Sequence, residues 1–306
     1  MPLFNLVRWP NLVIVALTQI LIFNWVLLPS FEQYNISSSL NQNEFFLLSL
    51  VTLLLSAGGY VINDIYDREI DLVDKPDRVI IGKEIDLPTA YWLYFVIHLI
   101  GFLLSLYLAF VVEKPGYVGL FPLASTGLYL YSRWLKRMPL WGNLLISLYC
   151  SGVAGIVWFA EREAFSELAI AERTYQKIGA ILMTYLVFAF LTTLFRELIK
   201  DMEDVEGDTR GGFRTAPIAW GMNTCRQIVT LLGVIILFFL VAAGWFFWQQ
   251  LDSPISGVVL MVMSLPMCVI LFRLLQAREK EHFHQLSQWS KLLMLSGILI
   301  LFLLEI

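Results

Sequence analysis

EFFLLSLVTLLLSAGGYVINDIYDREID, residues Glu44–Asp71, is the stretch whose reading decides the fold. Between Phe45 and Ile62 it carries no charge, and Asn63, Asp64, Asp67 and Asp71 follow at once. An apolar run of ~20 residues matches a hydrocarbon core ~30 Å thick, and lipid offers the backbone no partner, so such a run must be helical. If the helix continues past the run, Asn63, Asp67 and Asp71 stand at i, i+4 and i+8, stacked on one face over two turns. Like charges at that spacing repel by a few tenths of a kcal/mol per pair on an exposed helix. A stripe of this kind therefore points to a cation, and hard Mg²⁺ takes carboxylate oxygens together with substrate phosphates.

The rest of the chain agrees with a membrane setting. Of 306 residues 58% are hydrophobic and 15% charged, with a mean hydropathy of +0.71; soluble domains carry about a quarter charged residues. Nine apolar runs are long enough to span: 11–29, 44–63, 88–112, 116–132, 140–160, 176–196, 223–248, 254–273 and 289–305. The expected fold is an all-α polytopic bundle of nine helices around a central cavity capped by cytoplasmic loops, with 1–306 forming a single domain. Arg8 precedes an apolar run with no small-residue cleavage site before Pro29, so that run reads as a retained span. Taking alternate sides of nine spans, 17 Lys and Arg residues fall on the side of the N-terminus and 4 on the other. The positive-inside rule then predicts a cytoplasmic N-terminus and an outside C-terminus, in the cell membrane. Cys150, Cys225 and Cys268 have no metal spacing and read as packing residues.

Two predicted cytoplasmic segments, 64–87 and 197–222, are long and rich in Asp. Asp67 and Asp71 recur as Asp204 and Asp208, each pair 137 residues apart, as duplication of a four-helix unit would produce. In the second segment Glu197, Asp201, Asp204 and Asp208 fall on one face of a helix expected to continue out of the sixth span, with Gly207, Gly211 and Gly212 breaking or capping it. Basic residues follow both stripes: Lys75 and Arg78 after the first, Arg214 after the second. Acids that hold Mg²⁺, with Lys and Arg to take remaining charge, suit a diphosphate whose greasy tail lies among the spans. The metal-bound diphosphate can then leave as a stabilised anion.

Several motifs resemble the UbiA superfamily of membrane prenyltransferases. Asn63-Asp64-x-x-Asp67-x-x-x-Asp71 with Lys75-Pro-x-Arg78 looks like its first signature. Asp204-x-x-x-Asp208, followed by Gly212-x-x-Thr215-x-Pro217, looks like its second. Tyr131-Ser132-x-x-Leu135-Lys136-Arg137 with Gly142-Asn143 resembles the connection after the fourth span, and Arg8-x-Pro10-Asn11 the family's opening. The resemblance covers nearly the whole chain. It implies one Mg²⁺ on Asn63, Asp67 and Asp71 and a second on Asp204 and Asp208 with Asp201 nearby. It also implies diphosphate contacts from Lys75, Arg78, Lys136 and Arg214, and a cavity reached by Tyr131, Ser132, Asn143, Asn11 and Arg8. Asp67, Asp71, Asp204, Asp208 and Tyr131 would serve the chemistry, which is ionisation of a polyprenyl diphosphate and capture of the allylic cation by a lipidic acceptor. The 196–208 and 131–139 wording is most similar to the digeranylgeranylglyceryl phosphate synthase branch, whose members prenylate a hydroxyl of a prenylated glycerol phosphate. Arg133, Arg137 or Arg196 could then meet the acceptor's phosphate. The aromatic-ring alkylating branches of quinone synthesis are the alternative.

Other readings compete with this one. Lys83, Arg273, Arg278 and Lys280 suit a purely topogenic role. Asp64 lies off the stripe and could cap, pair with a base or support the metal from behind. His98 reads as a bundle hydrogen-bonding residue. His282 and His284 alone make no zinc site. A transporter would place acids in mid-span, whereas these cluster at helix ends. A membrane terpene cyclase would use the same metal chemistry without an acceptor. Nothing in the chain suggests nucleic-acid binding.

Overall fold

The computed structural model describes residues 2–74, 79–250 and 254–303, and among them the protein is built from helices, with one isolated bridge between Ile81 and Ile85. In chain order the helices are α1 (Pro2–Leu6), α2 (Trp9–Leu21), α3 (Leu28–Gln33), α4 (Gln42–Asp74), α5 (Leu87–Val111), α6 (Leu120–Arg133), α7 (Trp141–Ala160), α8 (Arg162–Glu167), α9 (Glu172–Glu203), α10 (Val205–Arg210), α11 (Ala216–Trp220), α12 (Met222–Gln250), α13 (Pro254–Val262), α14 (Ser264–Gln276) and α15 (Lys280–Leu303). A π-helical turn, Ile22–Leu27, joins α2 to α3.

Among the described residues seven helical stretches are long and apolar enough to span: Trp9–Gln33, Gln42–Leu72, Leu87–Val111, Trp141–Ala160, Glu172–Glu203, Met222–Gln249 and Pro254–Gln276. They match seven of the nine expected runs. The fourth run becomes a 3₁₀ turn, Pro115–Gly119, followed by the 14-residue α6. At 1.5 Å per residue α6 is only about 21 Å long, and the tighter turn adds about 10 Å. The ninth run lies on α15, and its last residues, 304 and 305, fall outside the described residues. Nine spans were expected and seven helices are long and apolar enough among the described residues; the fourth run is shared between a 3₁₀ turn and α6, and the ninth lies on α15.

The helices divide into two compact units. The first comprises residues up to Gln19 and Ser38–Arg137. Here α4 packs against α5 and α6, and two adjacent glycines allow the approach. A Cβ on Gly58 would lie 2.1 Å from Cε1 of His98 on α5, and one on Gly59 would lie 3.0 Å from Leu128 on α6. His98 hydrogen-bonds the Tyr94 carbonyl through Nδ1 at 3.1 Å, as expected of a bundle residue. Ile81 and Ile85, in the segment after α4, are buried with Leu6, Val61, Ile62, Ile65 and Ala90. A segment read as long and rich in Asp thus also carries a buried apolar turn, closed by Gly82 at φ +95° donating to the Ile85 carbonyl.

The second unit comprises Ile20–Ser37 and the chain from Met138 onward. Its α9 packs on α7, α12 and α15, and α12 packs on α13 and α14. Where α12 meets α13, a Cβ on Gly257 would lie 2.6 Å from the Gly244 carbonyl oxygen. Backbone cannot swing aside as a side chain can, and small residues are what let membrane helices approach this closely. Large apolar side chains such as Phe110, Leu123 and Phe238 are exposed, as a lipid-facing surface requires.

The glycine contact yields a stability prediction. Gly257→Ala should lower the thermal midpoint in detergent by the equivalent of about 1–3 kcal/mol, the usual overpacking penalty. Gly152→Ala, whose Cβ would meet nothing within 4 Å, should leave the midpoint unchanged. Equal midpoints for the two variants would refute the contact.

Candidate functional site

α4 runs unbroken from Gln42 to Asp74, so the acidic stripe is helical as expected. Asn63 donates through Nδ2 to Asp67 Oδ2 at 2.8 Å. Lys136, on the 3₁₀ turn Leu135–Arg137 beyond α6, places its ammonium on the remaining oxygens of both residues. It hydrogen-bonds Asn63 Oδ1 at 3.2 Å and forms a close ion pair with Asp67 Oδ1. Its side chain is 9% exposed. Burial pushes the ammonium below the ordinary lysine range, while Asp67 and, more weakly, Asp71 pull it back up. Lys136 was expected to hold a diphosphate; here it sits on the acids instead.

Asp64 resolves into one of its three expected roles. Its Oδ1 accepts from Arg8 Nη2 at 2.7 Å, and the Arg8 guanidinium stands 5.0 Å from the Tyr60 ring centre. Tyr131 lies within electrostatic range of Arg8. Ser132 is buried and its hydroxyl donates to the Leu128 carbonyl of its own helix at 3.0 Å. Asn11 is half-buried at the start of α2, its backbone N–H on the Arg8 carbonyl. Arg133 donates to the Tyr129 hydroxyl at 2.6 Å and lies 4.7 Å over Trp134. Lys75 and Arg78 lie outside the described residues.

The second acidic segment departs from expectation. The helix out of the sixth span does not continue through all four acids: α9 ends at Glu203, and Asp204 adopts φ −94°, ψ 9° before α10 begins. Helical hydrogen bonds still cross the kink, with the Asp204 N–H on the Lys200 carbonyl and the Asp208 N–H on the Asp204 carbonyl, both 2.9 Å. A kink therefore turns Asp208 relative to Asp201 where a straight helix would have aligned them. Asp201 accepts from Asn143 Nδ2 at 2.9 Å, and Asp208 accepts from the Thr215 hydroxyl at 3.1 Å. Gly212, at φ +70°, ends α10 and returns the Phe213 N–H to the Asp208 carbonyl at 2.8 Å. Arg214 is exposed. Arg196 pairs with its neighbour Glu197 at 2.6 Å, and Glu203 pairs with His284 of α15 at 2.8 Å.

Among the described residues no three His, Cys, Asp or Glu side chains converge closely enough to hold a metal by themselves. The Asn63–Asp67 pair nevertheless fits a cation, since one already bridges its two oxygens in the form of the Lys136 ammonium. Sequence reasoning missed the pairing of Arg8 with Asp64 and the Thr215 bond to Asp208. The first had a signal, a lone Arg just ahead of the first span, but no spacing links positions 56 residues apart.

These helices and acid-bearing helix ends define a multi-pass integral membrane protein, and comparison with known proteins says of what kind. The profile of the UbiA prenyltransferase family matches residues 13–292. A digeranylgeranylglyceryl phosphate synthase of Hyperthermus butylicus is 32% identical over 238 residues, 77% of this chain and 73% of the relative. The same-named protein of Korarchaeum cryptofilum is 30% identical over 264 residues, 86% of each chain. A solved digeranylgeranylglyceryl phosphate synthase structure superposes with a TM-score of 0.65 at 22% identity, covering 98% of this chain and 96% of that one. A UbiA homologue of Archaeoglobus fulgidus bound to GPP and Mg²⁺ superposes at 0.57 and 14% identity, covering 98% and 99%. The chain belongs to the UbiA prenyltransferase family, and it is a membrane prenyltransferase.

The Lys136 bridge can be tested without substrate. Lys136→Met leaves Asp67 charged beside Asp64 without its ammonium and should lower the detergent thermal midpoint. Adding Asp67→Asn should restore part of the loss, with a coupling of about 0.5–3 kcal/mol in the double-mutant cycle. Strict additivity would remove the bridge.

Proposed function

We propose that the protein transfers a polyprenyl group from its diphosphate to a hydroxyl of a prenylated glycerol phosphate, forming an ether lipid with the help of Mg²⁺. The observation that carries this reading is the buried cation bridging Asn63 and Asp67, at the first position of the diphosphate signature. The curated relatives named as digeranylgeranylglyceryl phosphate synthases favour the glycerol phosphate acceptor.

Asn63, Asp67 and Asp71 would hold one Mg²⁺, and Asp204 and Asp208 a second, with Asp201 nearby. When bound, Mg²⁺ draws charge from the diphosphate as its carbon–oxygen bond breaks. Lys136 has the reach to exchange Asp67 for a phosphate oxygen, and Lys75, Arg78 and Arg214 supply further positive charge. Tyr131 offers an aromatic face to the allylic cation. The acceptor oxygen attacks the allylic carbon, diphosphate departs, and the hydroxyl proton is released. The whole chain acts as one UbiA-like domain in the cell membrane, with the N-terminus and both acidic segments cytoplasmic and the C-terminus outside. The 17-to-4 distribution of Lys and Arg supports that orientation.

The test is mass spectrometry of products from purified protein, one defined polyprenyl diphosphate and Mg²⁺. A prenylated glycerol phosphate, 4-hydroxybenzoate and a naphthoate are offered side by side. An ether lipid is expected. A ring-alkylated aromatic would replace the acceptor assignment, a cyclised hydrocarbon would indicate a cyclase, and uptake without transfer a transporter. Asp67→Ala and Asp208→Ala should each lower turnover at least about 100-fold, the scale of losing one preorganised electrostatic contact; near-normal turnover in both would remove the metal assignment. For topology, Glu206→Cys in a cysteine-free background should resist an impermeant thiol reagent in sealed right-side-out vesicles. Ready labelling there would reverse the orientation.

A further inference from the structure

Asp64 has a counterpart. Asp64, Asp67 and Asp71 form D-x-x-D-x-x-x-D, and Asp201, Asp204 and Asp208 repeat it 137 residues on. The leading acid of each motif accepts a hydrogen bond from the start of another helix. Arg8, directly ahead of α2, holds Asp64 at 2.7 Å, and Asn143, in the first turn of α7, holds Asp201 at 2.9 Å. Under a four-helix duplication α2 and α7 open the first and second repeats.

The starts of α2 and α7 share a backbone device as well. Each has a non-glycine residue at positive φ directly before an exposed Trp: Arg8 at φ +51° before Trp9, and Leu140 at φ +70°, ψ −33° before Trp141, whose N–H closes a γ-turn on the Pro139 carbonyl at 2.9 Å. A strained residue of this kind costs about 1–3 kcal/mol and persists only where the surroundings over-determine it. In each unit the strained corner sets the start of the helix beside the acid that its polar side chain grips. Asn143 is 8% exposed, while at the other contact 22% of the Asp64 side chain and 41% of the Arg8 side chain are exposed, so the Asn143 contact is the more enclosed of the two.

We propose that Arg8 and Asn143 are equivalent positioning residues, one per motif. Each clamps the leading acid so that the carboxylates three and seven residues later are presented to metal and diphosphate. A hydrogen bond from a second helix fixes both the rotation and the height of the acidic helix, and ligands held about 1 Å out of place bind metal poorly. This rests on the Mg²⁺ reading above and gives Arg8 and Asn143 each the support of the ligand set in its own unit.

The test uses the full chain in detergent, with four readouts: thermal midpoint, kcat, KM for the prenyl diphosphate and the Mg²⁺ concentration giving half-maximal rate. Arg8→Gln and Asn143→Ala should each raise that Mg²⁺ concentration and lower kcat per folded molecule about 10- to 100-fold, beyond any loss of folded protein that the midpoint reports. Arg8→Lys should recover most of the loss. Arg8→Gln with Asp64→Asn should lose no more than the worse single variant, since both remove one contact. If Asn143→Ala does not fold, Asn143→Ser takes its place. Mg²⁺ dependence and kcat within twofold of the parent in both clamp variants would overturn the proposal, as would activity falling only in step with the folded fraction. Asp67→Ala separates the two readings. If it abolishes turnover while the clamp variants stay normal, only the clamps fail; if it turns over normally, the metal reading fails and the clamps with it.

Discussion

A carboxylate at the end of a membrane span is stable only if something answers its charge, because the cost of an unpaired ion rises steeply as water thins out. In the first unit the answer is the Lys136 ammonium, shared between Asn63 and Asp67. Much of that unit's architecture serves to deliver it. Gly58 and Gly59 let α5 and α6 close on α4, α6 stops at Arg133, and a single 3₁₀ turn carries Lys136 back to the stripe. Lengthening α6 by one turn would carry the ammonium about 5 Å away and leave the acids without it.

The second motif meets the same constraint by a different construction. Neutral donors, the Asn143 amide and the Thr215 hydroxyl, hold Asp201 and Asp208, and the helix is kinked at Asp204. Gly212 then turns the chain so that Thr215 reaches back to Asp208. A neutral donor orients a carboxylate without cancelling its charge, which leaves it able to meet a cation. An ammonium on Asp67 must instead be displaced before a metal can take that oxygen. One acid pattern thus has two supports.

The acidic stripe, the membrane setting and the family signature were legible in the sequence because each rests on local spacing or composition. The i, i+4, i+8 stripe needed only that α4 continue past Ile62, and it does so to Asp74. Inference failed where local pattern and chain geometry part. The fourth apolar run, 116–132, looked continuous by hydropathy, yet it starts within the 3₁₀ turn Pro115–Gly119 and continues as the 14-residue α6. The acids from Glu197 to Asp208 fit one helical face on paper, yet the chain kinks at Asp204, with Gly207 and the Gly211–Gly212 pair close behind. The segment after α4 was read through its charges alone, and the burial of Ile81 and Ile85 with Val61, Ile62 and Ile65 carried no signal in that reading.

By itself the sequence determined that this is a polytopic helical membrane protein carrying two acidic motifs of the UbiA type, since apolar length and residue spacing report directly on span and helix face. Only the tertiary structure decided which partner each acid takes: Lys136 for Asn63 and Asp67, Arg8 for Asp64, Asn143 for Asp201 and Thr215 for Asp208. Three of those four attachments join residues 56 to 73 positions apart. No local pattern can encode a contact that exists only after separate helices have packed at one depth and rotation.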